Sequence, residues 1–530
     1  MTRGARVSGA IARIAAFCQE PVSSERNRLR LALGGTAAVS LAAHAFSFFN
    51  FIPQHDALIE SFWQSLDHVV GLGRFLLPVY MYLRGYAPMP WVAGMLSILF
   101  LGLSVYFISR ALRMDTRAEI LLMSGFLSAN ICVLTLNSLF QFCFDAYMCS
   151  LLFACWGVWL ISGPPDLRRY AGAMICFFIS VGIYAAFITV SLCLLMILVL
   201  REVTDSNGFT RELGKKIAFW AAVLALAAAL YLLGCRISLS VLDVEASTRK
   251  TSVFSLGMLG MRDLAYRAGV NYYFFLAMQF LGFSPVHHAD YLGVQYGLAA
   301  SALAVLCIVS FCRRHKGAMR GWIWGLYIAA AALFPFVARL VPIMTGNGGS
   351  NQTMFAQYLV FPLLLWIFFS PGRPGEAEKT RARSAKAVTA AALLSVYILL
   401  GNILFSNEAY TLQKVLYDRA MYHTGQVVED LQDAGYDASQ GDRVIVSGTF
   451  SLGGDLRPRL ERFERAGIDG FYDTSITYSD TFRSMARILG FTFRPGGSAA
   501  SVSDRLADMP SYPEEGYLQE DNGLYIIKLS

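Results

Sequence analysis

Charge is scarce in this chain of 530 residues: Asp, Glu, Lys and Arg make up 15% of it, against about 25% in soluble globular proteins. With 55% hydrophobic and 13% aromatic residues, that shortage excludes an ordinary soluble fold. The formal charge of +7 is then no sign of a nucleic-acid partner and has to be read loop by loop. Familiar motifs are missing too. No Gly-x-Gly-x-x-Gly follows a strand pattern, and there is no His-Glu-x-x-His and no Gly-x-Ser-x-Gly. Nothing therefore points to a dinucleotide cofactor, a zinc protease or a serine hydrolase. The Gly-rich "TGNGGSNQT" (Thr345–Thr353) lacks the Lys-Ser/Thr of a phosphate loop. The ten cysteines include no Cys-x-x-Cys pair and none after position 406, so they read as small apolar fillers, neither a disulfide framework nor a metal site. The Arg-dotted N-terminus shows no small-residue cleavage site, and the run after it is too long for a signal peptide, so it reads as an uncleaved span.

What the chain does have is long apolar runs. They fall at about 31–52, 91–112, 119–138, 146–162, 171–184, 186–200, 217–235, 293–312, 322–343, 355–370 and 387–405. Runs of roughly 17–25 residues cross about 30 Å of hydrocarbon as helices. The ambiguous stretch is Ala171 to Leu200, long for one helix and short for two. Charge decides it. If this stretch is a tight hairpin, the N-terminus, Arg110–Arg117, Arg168–Arg169, Arg201–Lys216, Arg313–Arg320 and Arg373–Lys386 share one side. Together they hold about 24 of the 44 Lys and Arg residues, the mark of a cytoplasmic face. The sequence therefore predicts a polytopic α-helical membrane protein of about 11 transmembrane helices, N-terminus cytoplasmic and C-terminus outside.

Residues 1–405 form the membrane domain in this reading, with outer loops at 53–90 and 237–292. Residues 406–530 form a small extracytoplasmic α/β domain. That tail carries one long helical pattern, Tyr410 to Ala434. "DRVIVSGTF" (Asp442–Phe450) reads as a strand, and the chain end reads as a hairpin turning at Asp521-Asn522-Gly523.

The first outer loop is where charge gathers. "NFIPQHDALIESFWQSLDHVVGLGRFLLP" (Asn50–Pro78) holds His55, Asp56, Glu60, Asp67, His68 and Arg74. On a helix Asp56, Glu60, Trp63 and Asp67 share one face, three carboxylates around a large aromatic. Gly71 and Gly73 then end the helix, and Arg74 opens a new apolar element. Such a face is either a solvated amphipathic helix on the membrane or a site. Carboxylates just outside a bilayer can act as a general base or bind sugar hydroxyls, and an Arg beside them can bind phosphate. Asp145, in "FQFCFDAYMCSLL", opens the fourth span. It is either a first-turn acid facing the positive helix end or a second site acid. Arg339, in "LFPFVARLVPIM", lies inside the ninth span near its outer end. It either snorkels to the interface or serves a site. His287, His288 and Asp290 in "SPVHHADY" fit zinc spacing poorly and read as a plain loop.

These features together resemble the type II O-antigen glucosyltransferase family, the serotype-converting enzymes, and more broadly the GT-C class of polytopic glycosyltransferases. The likeness rests on "HD…W…GRFLLP" after the first span, "FDAYM" before a later one, an Arg near the outer end of a late span, and an outward tail. Asp56 matches one acid of the family's pair; the other position is His55 or Ala57 here. Trp63, Gly73 and Arg74 match the remainder, and Asp145 matches the aromatic-Asp motif. Tyr184, in "GIYAAF", falls where the family has Tyr-Gln, but Ala185 replaces the Gln, so no role is carried over to it.

The resemblance implies an inverting glycosyltransferase of the bacterial inner membrane. It would move a sugar, glucose first among candidates, from a polyprenyl-phosphate donor to a surface glycan such as O-antigen on the periplasmic side. Asp56 is expected as base, Glu60, Trp63, Asp67 and Asp145 at the sugars, and Arg339 with Arg74 at the phosphate. No cofactor and no metal are expected. The alternatives are a transferase of another lipid-phosphate sugar, or a flippase for lipid-linked glycan. The flippase reading expects internal repeats and ionisable residues near the midplane, where this chain has neither.

Overall fold

The computed structural model describes residues 3–53, 57–58, 67–247, 260–284, 289–290, 293–316, 319–346, 351–369, 384–450, 452–465 and 479–530. It is helix-rich. Two helices open the chain, α1 (Arg3–Gln19) and α2 (Glu25–Phe49). The short α3 (Asp67–Gly71) and α4 (Leu76–Arg84) precede α5 (Pro90–Ala111), α6 (Arg117–Ser128), α7 (Ile131–Leu139) and α8 (Phe144–Ile161). Then come α9 (Leu167–Tyr184), α10 (Ile188–Ser206), α11 (Arg211–Leu242), α12 (Met261–Leu276) and α13 (Val294–His315). The membrane part closes with α14 (Gly321–Ala338), α15 (Leu340–Thr345), α16 (Val360–Phe369) and α17 (Ala385–Asp433). Among the described residues eight helices are long and apolar enough to cross a bilayer, or nine with α6 and α7 taken as one bent span.

Local sequence sets the helix starts. Ser24 caps α2 through its side chain, Pro90 occupies the first turn of α5, where its missing N–H costs nothing, and Thr116 with Glu119 forms a capping box on α6. Without a hydrophobic effect between lipid-facing helices, close approach matters more. At Gly94 of α5 a Cβ would sit 2.4 Å from the Phe48 ring, so glycine lets α2 and α5 meet.

Arginines gather the helix C-termini at one end of the bundle. Arg28 of α2 donates to the carbonyls of Ser109 (3.4 Å) and Met114 and pairs with Asp115 at 2.8 Å. Arg169 donates to Leu160 O at 2.9 Å, Arg201 to Ala111 O, and Arg314 to Phe368 O at 2.7 Å. Except for Met114, these carbonyls lie in the last turns of their helices, so a cation there meets the negative end of the helix dipole.

The same contacts resolve Ala171 to Leu200. The segment Leu167–Ser206 passes as a single 40-residue apolar stretch, yet its two ends meet the same end of the bundle. Arg169 lies on the C-terminus of α8 and Arg201 on that of α5, and Phe107 of α5 stacks on Trp156 of α8 at 5.6 Å. The middle lies at the other end, where Tyr184 stacks on Tyr147 in the first turn of α8. The reversal occurs in the 3-10 turn Ala185–Phe187. A straight helix cannot return to its starting face, so the segment is two helices joined by this turn.

Three predicted spans are not plain rods. The stretch 119–138 is broken into α6 and α7, bent by 42°. Asn130 caps α7, while His44 Nε2 and Asn402 Nδ2 reach the carbonyls of Ser128 (3.0 Å) and Ala129 (2.8 Å) at the break. The stretch 322–343 breaks at Arg339, between α14 and α15. Pro342 has no N–H to return to Ala338 and its ring crowds that carbonyl. The last span does not stop near position 405. It runs on without a Pro, and through Gly401 and Gly425, as the 49-residue α17, so the span and the helix predicted from Tyr410 are one element.

The remaining described residues form a two-stranded pair, β1 (Phe283–Ser284) with β2 (Ala289–Asp290), and a four-stranded sheet at the chain end. The sheet order is β4 (Arg494–Pro495), β3 (Arg443–Ser447), β6 (Leu524–Lys528), β5 (Leu518–Asp521), with β3 parallel to both neighbours and β5–β6 a hairpin. The hairpin turns at Asn522 and Gly523, both at positive φ, as the Asn-Gly signal predicts. The sheet packs on the C-terminal half of α17 through Tyr525 OH to Ala434 O and Tyr517 OH to Asp430 Oδ2 (2.5 Å).

Candidate functional site

Asp56, Glu60 and Trp63 lie outside the described residues, as do His287 and His288. Asp67 opens α3 and is exposed. The helix ends at Gly71, followed by a turn in which Gly73 has φ +89°, a conformation that costs other residues steric strain. The turn is pinned from α11 by Tyr231 OH on Gly73 O at 3.1 Å. That fixes where Arg74 emerges.

Arg74 enters an aromatic nest. Its Nη1 donates to Tyr147 OH at 2.9 Å, and its guanidinium carbon lies 5.0 Å from the centre of the Tyr184 ring. Tyr147 and Tyr184 stack 4.4 Å apart. Cation–π contact with desolvated tyrosines holds the guanidinium plane in place. Tyr184 OH in turn donates to Gln352 O at 3.0 Å, joining α9 to the loop before α16.

Asp145 is fully buried in the first turn of α8. Its Oδ2 lies 3.2 Å from Arg84 Nε and accepts from Tyr80 OH at 2.9 Å. Arg84 also donates to Phe142 O at 2.5 Å, so one arginine ties α4 to the start of α8. Asp145 Oδ1 makes no hydrogen bond and faces the positive end of its own helix. Burial first, and the Asp145 charge second, push the Tyr80 hydroxyl well above its usual range, so it remains a donor. Asp145 is thus a first-turn acid that also forms a buried ion pair with Arg84.

Arg339 does not snorkel: it is 0% exposed. At the α14–α15 break its Nε donates to Asn271 Oδ1 at 3.0 Å and its Nη1 to Gln357 Oε1 at 2.8 Å, with Phe274 under the guanidinium at 5.5 Å. The Arg74 and Arg339 clusters are linked through Tyr184, whose ring meets Phe187, which meets Phe355 two residues before Gln357. Both therefore sit at the end of the bundle opposite the helix-capping arginines.

A family model described as Glucosyl transferase GtrII matches residues 45–369. The chain belongs to that family. The matched region runs from the end of α2 to the end of α16 and includes Arg74, Asp145 and Arg339, while the tail lies beyond it. No curated protein and no solved structure matches the chain. A glucosyl transferase needs positioned cations and hydrogen-bond donors for a departing group and acceptors for sugar hydroxyls. The clusters around Arg74 and Arg339 hold groups of the first kind.

Several residues that meet Arg74, Asp145 and Arg339 have no role in the sequence reading. Arg84 carried a signal, being the sole charged residue between Arg74 and Arg110. Tyr184, to which the resemblance carries no role, stacks on Tyr147 and lies under Arg74. Asn271 and Gln357 gave no local signal, since the Arg339 they meet is remote in sequence. Among the described residues no group of three or more His, Cys, Asp or Glu gathers as a metal site.

Proposed function

We propose that the chain transfers glucose from a polyprenyl-phosphate donor to a surface glycan such as O-antigen, at the end of the bundle that carries Arg74 and Arg339. The observation that supports this most is the buried Arg339 guanidinium and the half-buried Arg74 one, both oriented by their partners, at one end of a membrane bundle. A lipid phosphate needs such cations at the level of its headgroup, and phosphate is already a good leaving group. The remaining chemistry is deprotonation of an acceptor hydroxyl, for which Asp56 is the proposed base, with Glu60, Trp63, Asp67 and Asp145 at the sugars. Attack opposite the departing phosphate inverts the anomeric carbon: the acceptor oxygen bonds to it, the bond to phosphate breaks, and the proton passes to Asp56.

The capping arginines define the topology in this proposal. Their end is cytoplasmic, by the positive-inside rule. With α9 and α10 as separate passes, α6–α7 as one, and the short α16 counted, the chain crosses eleven times and leaves its tail as a periplasmic domain of the inner membrane. The test is glucose transfer from polyprenyl-phosphate glucose in membranes holding equal amounts of wild type and Asp56→Asn. A loss of about a hundredfold or more, the scale of a general base, is expected. Equal rates would remove Asp56 from that role.

A further inference from the structure

An apolar groove of about 250 Å³ runs between α10, α12, α13, α14 and α16. Leu200, Phe275, Ile308, Ala331, Phe334 and Leu363 are among its walls. It is open sideways: Ile308, one of its walls, is 48% exposed, on a surface that faces lipid in a membrane protein. Its length follows the bundle. Leu200 and Trp366 lie toward the capping arginines, with Trp366 Nε1 on Leu112 O, while Phe334, Pro335 and Val360 lie at the other end.

That other end abuts Arg339. Arg339 N bonds to Pro335 O, Asn271 is one turn before the wall residue Phe275, and Gln357 is one turn before the wall residue Val360. Gln357 is 0% exposed. Because its Oε1 must accept from Arg339, its Nε2 faces the other way, and that amide N–H₂ has no hydrogen-bond partner. A second fully buried amide, Gln279, has no partner for either side-chain atom. It falls in the π-helical turn Ala277–Leu281 that ends α12, on the stripe of Asn271 and Phe275. Unsatisfied buried amides cost about 1–3 kcal/mol each, and π turns concentrate at functional sites. Donors of this kind beside a guanidinium suit an anionic oxygen.

We propose that this groove seats the proximal isoprene units of the lipid donor, with the phosphate held jointly by Arg339 and Gln357 Nε2. This rests on the lipid-phosphate reading of the donor. One occupant is favoured because a cation at the mouth of a single apolar groove fits a one-tailed anionic lipid, whereas a two-chain phospholipid needs a wider bed.

The test uses the full chain in proteoliposomes and a long-chain polyprenyl phosphate carrying a photoreactive diazirine in its first isoprene units. Label is expected on α10, α12, α14 or α16, competed by unlabelled polyprenyl phosphate and not by phosphatidic acid. Ala331→Trp, at a lipid-exposed wall position, should lower labelling about tenfold, the equivalent of roughly two buried CH₂ groups. It should raise KM for the long-chain donor more than for a short prenyl donor. Gln357→Leu should weaken competition by prenyl phosphates but not by the free prenol. Label elsewhere, equal competition by phosphatidic acid, or an unaffected Ala331→Trp would overturn the proposal. Groove labelling without any glucose transfer would sustain the groove and sink the transferase donor assignment; transfer with label outside the groove would do the reverse.

Discussion

Asp145 shows how a residue read as a site acid acquires a structural duty. Its carboxylate is fully buried, and the Arg84 side chain that meets it is 5% exposed. Removing one member of such a pair leaves an uncompensated buried charge, at about 3–5 kcal/mol, whereas replacing both with apolar groups is often close to neutral. Asp145→Leu should therefore lower the unfolding midpoint in detergent sharply, and the double variant Asp145→Leu with Arg84→Met should recover most of the loss. A double variant as unstable as the single one would show that the pair is not the cause. At this scale the sequence was partly legible. Arg74, Asp145 and Arg339 stood out because charge is rare in these helices. Their amide and tyrosine partners did not, because polar neutral residues are common and their contacts close over long separations, as Arg339 does with Asn271 and Gln357.

Among the elements, the breaks matter most for the site. Apolar runs announce α2, α5, α8 and α13 directly, and the Asn-Gly turn announces β5–β6. Bends inside runs are harder to read, since their cause is a proline or a remote side chain that takes over a freed carbonyl. The α14–α15 break places Arg339 beside Asn271, and Pro342 causes it. Pro342→Ala permits a continuous helix, which would rotate and translate Arg339 away from its partners. Glucose transfer should fall by about tenfold or more, while thermal stability stays level or rises, since a helix-interior proline costs about 3 kcal/mol. Unchanged transfer would mean that the break does not position the cation. The continuity of α17 was illegible for a related reason: composition changes near position 405, but nothing there stops a helix, and Ser406 and Thr411 return their hydroxyls to carbonyls four residues back.

For the whole molecule, the distribution of arginine is the organising feature. One end uses it to cap helices, and the other uses Arg74 and Arg339 in aromatic and amide nests. If the capping end is cytoplasmic, a cysteine introduced at exposed Arg168 should react with a membrane-impermeant maleimide after permeabilisation alone. A cysteine at exposed Ser439 in the tail should react in intact spheroplasts. The opposite pattern would invert the topology and move the site to the cytoplasm. The reversal at Ala185–Phe187 was legible at this scale only, through charge bias over the whole chain, because hydropathy treats Leu167–Ser206 as one run.

The most direct measurement is release of polyprenyl phosphate from polyprenyl-phosphate glucose by the purified chain in proteoliposomes with a glycan acceptor. The comparison is wild type against Arg339→Met at equal, folded amounts. The account predicts donor consumption by wild type and a loss of about a hundredfold in the variant, the scale of removing one preorganised donor at the developing charge. No consumption by wild type, or equal consumption by both proteins, would contradict it.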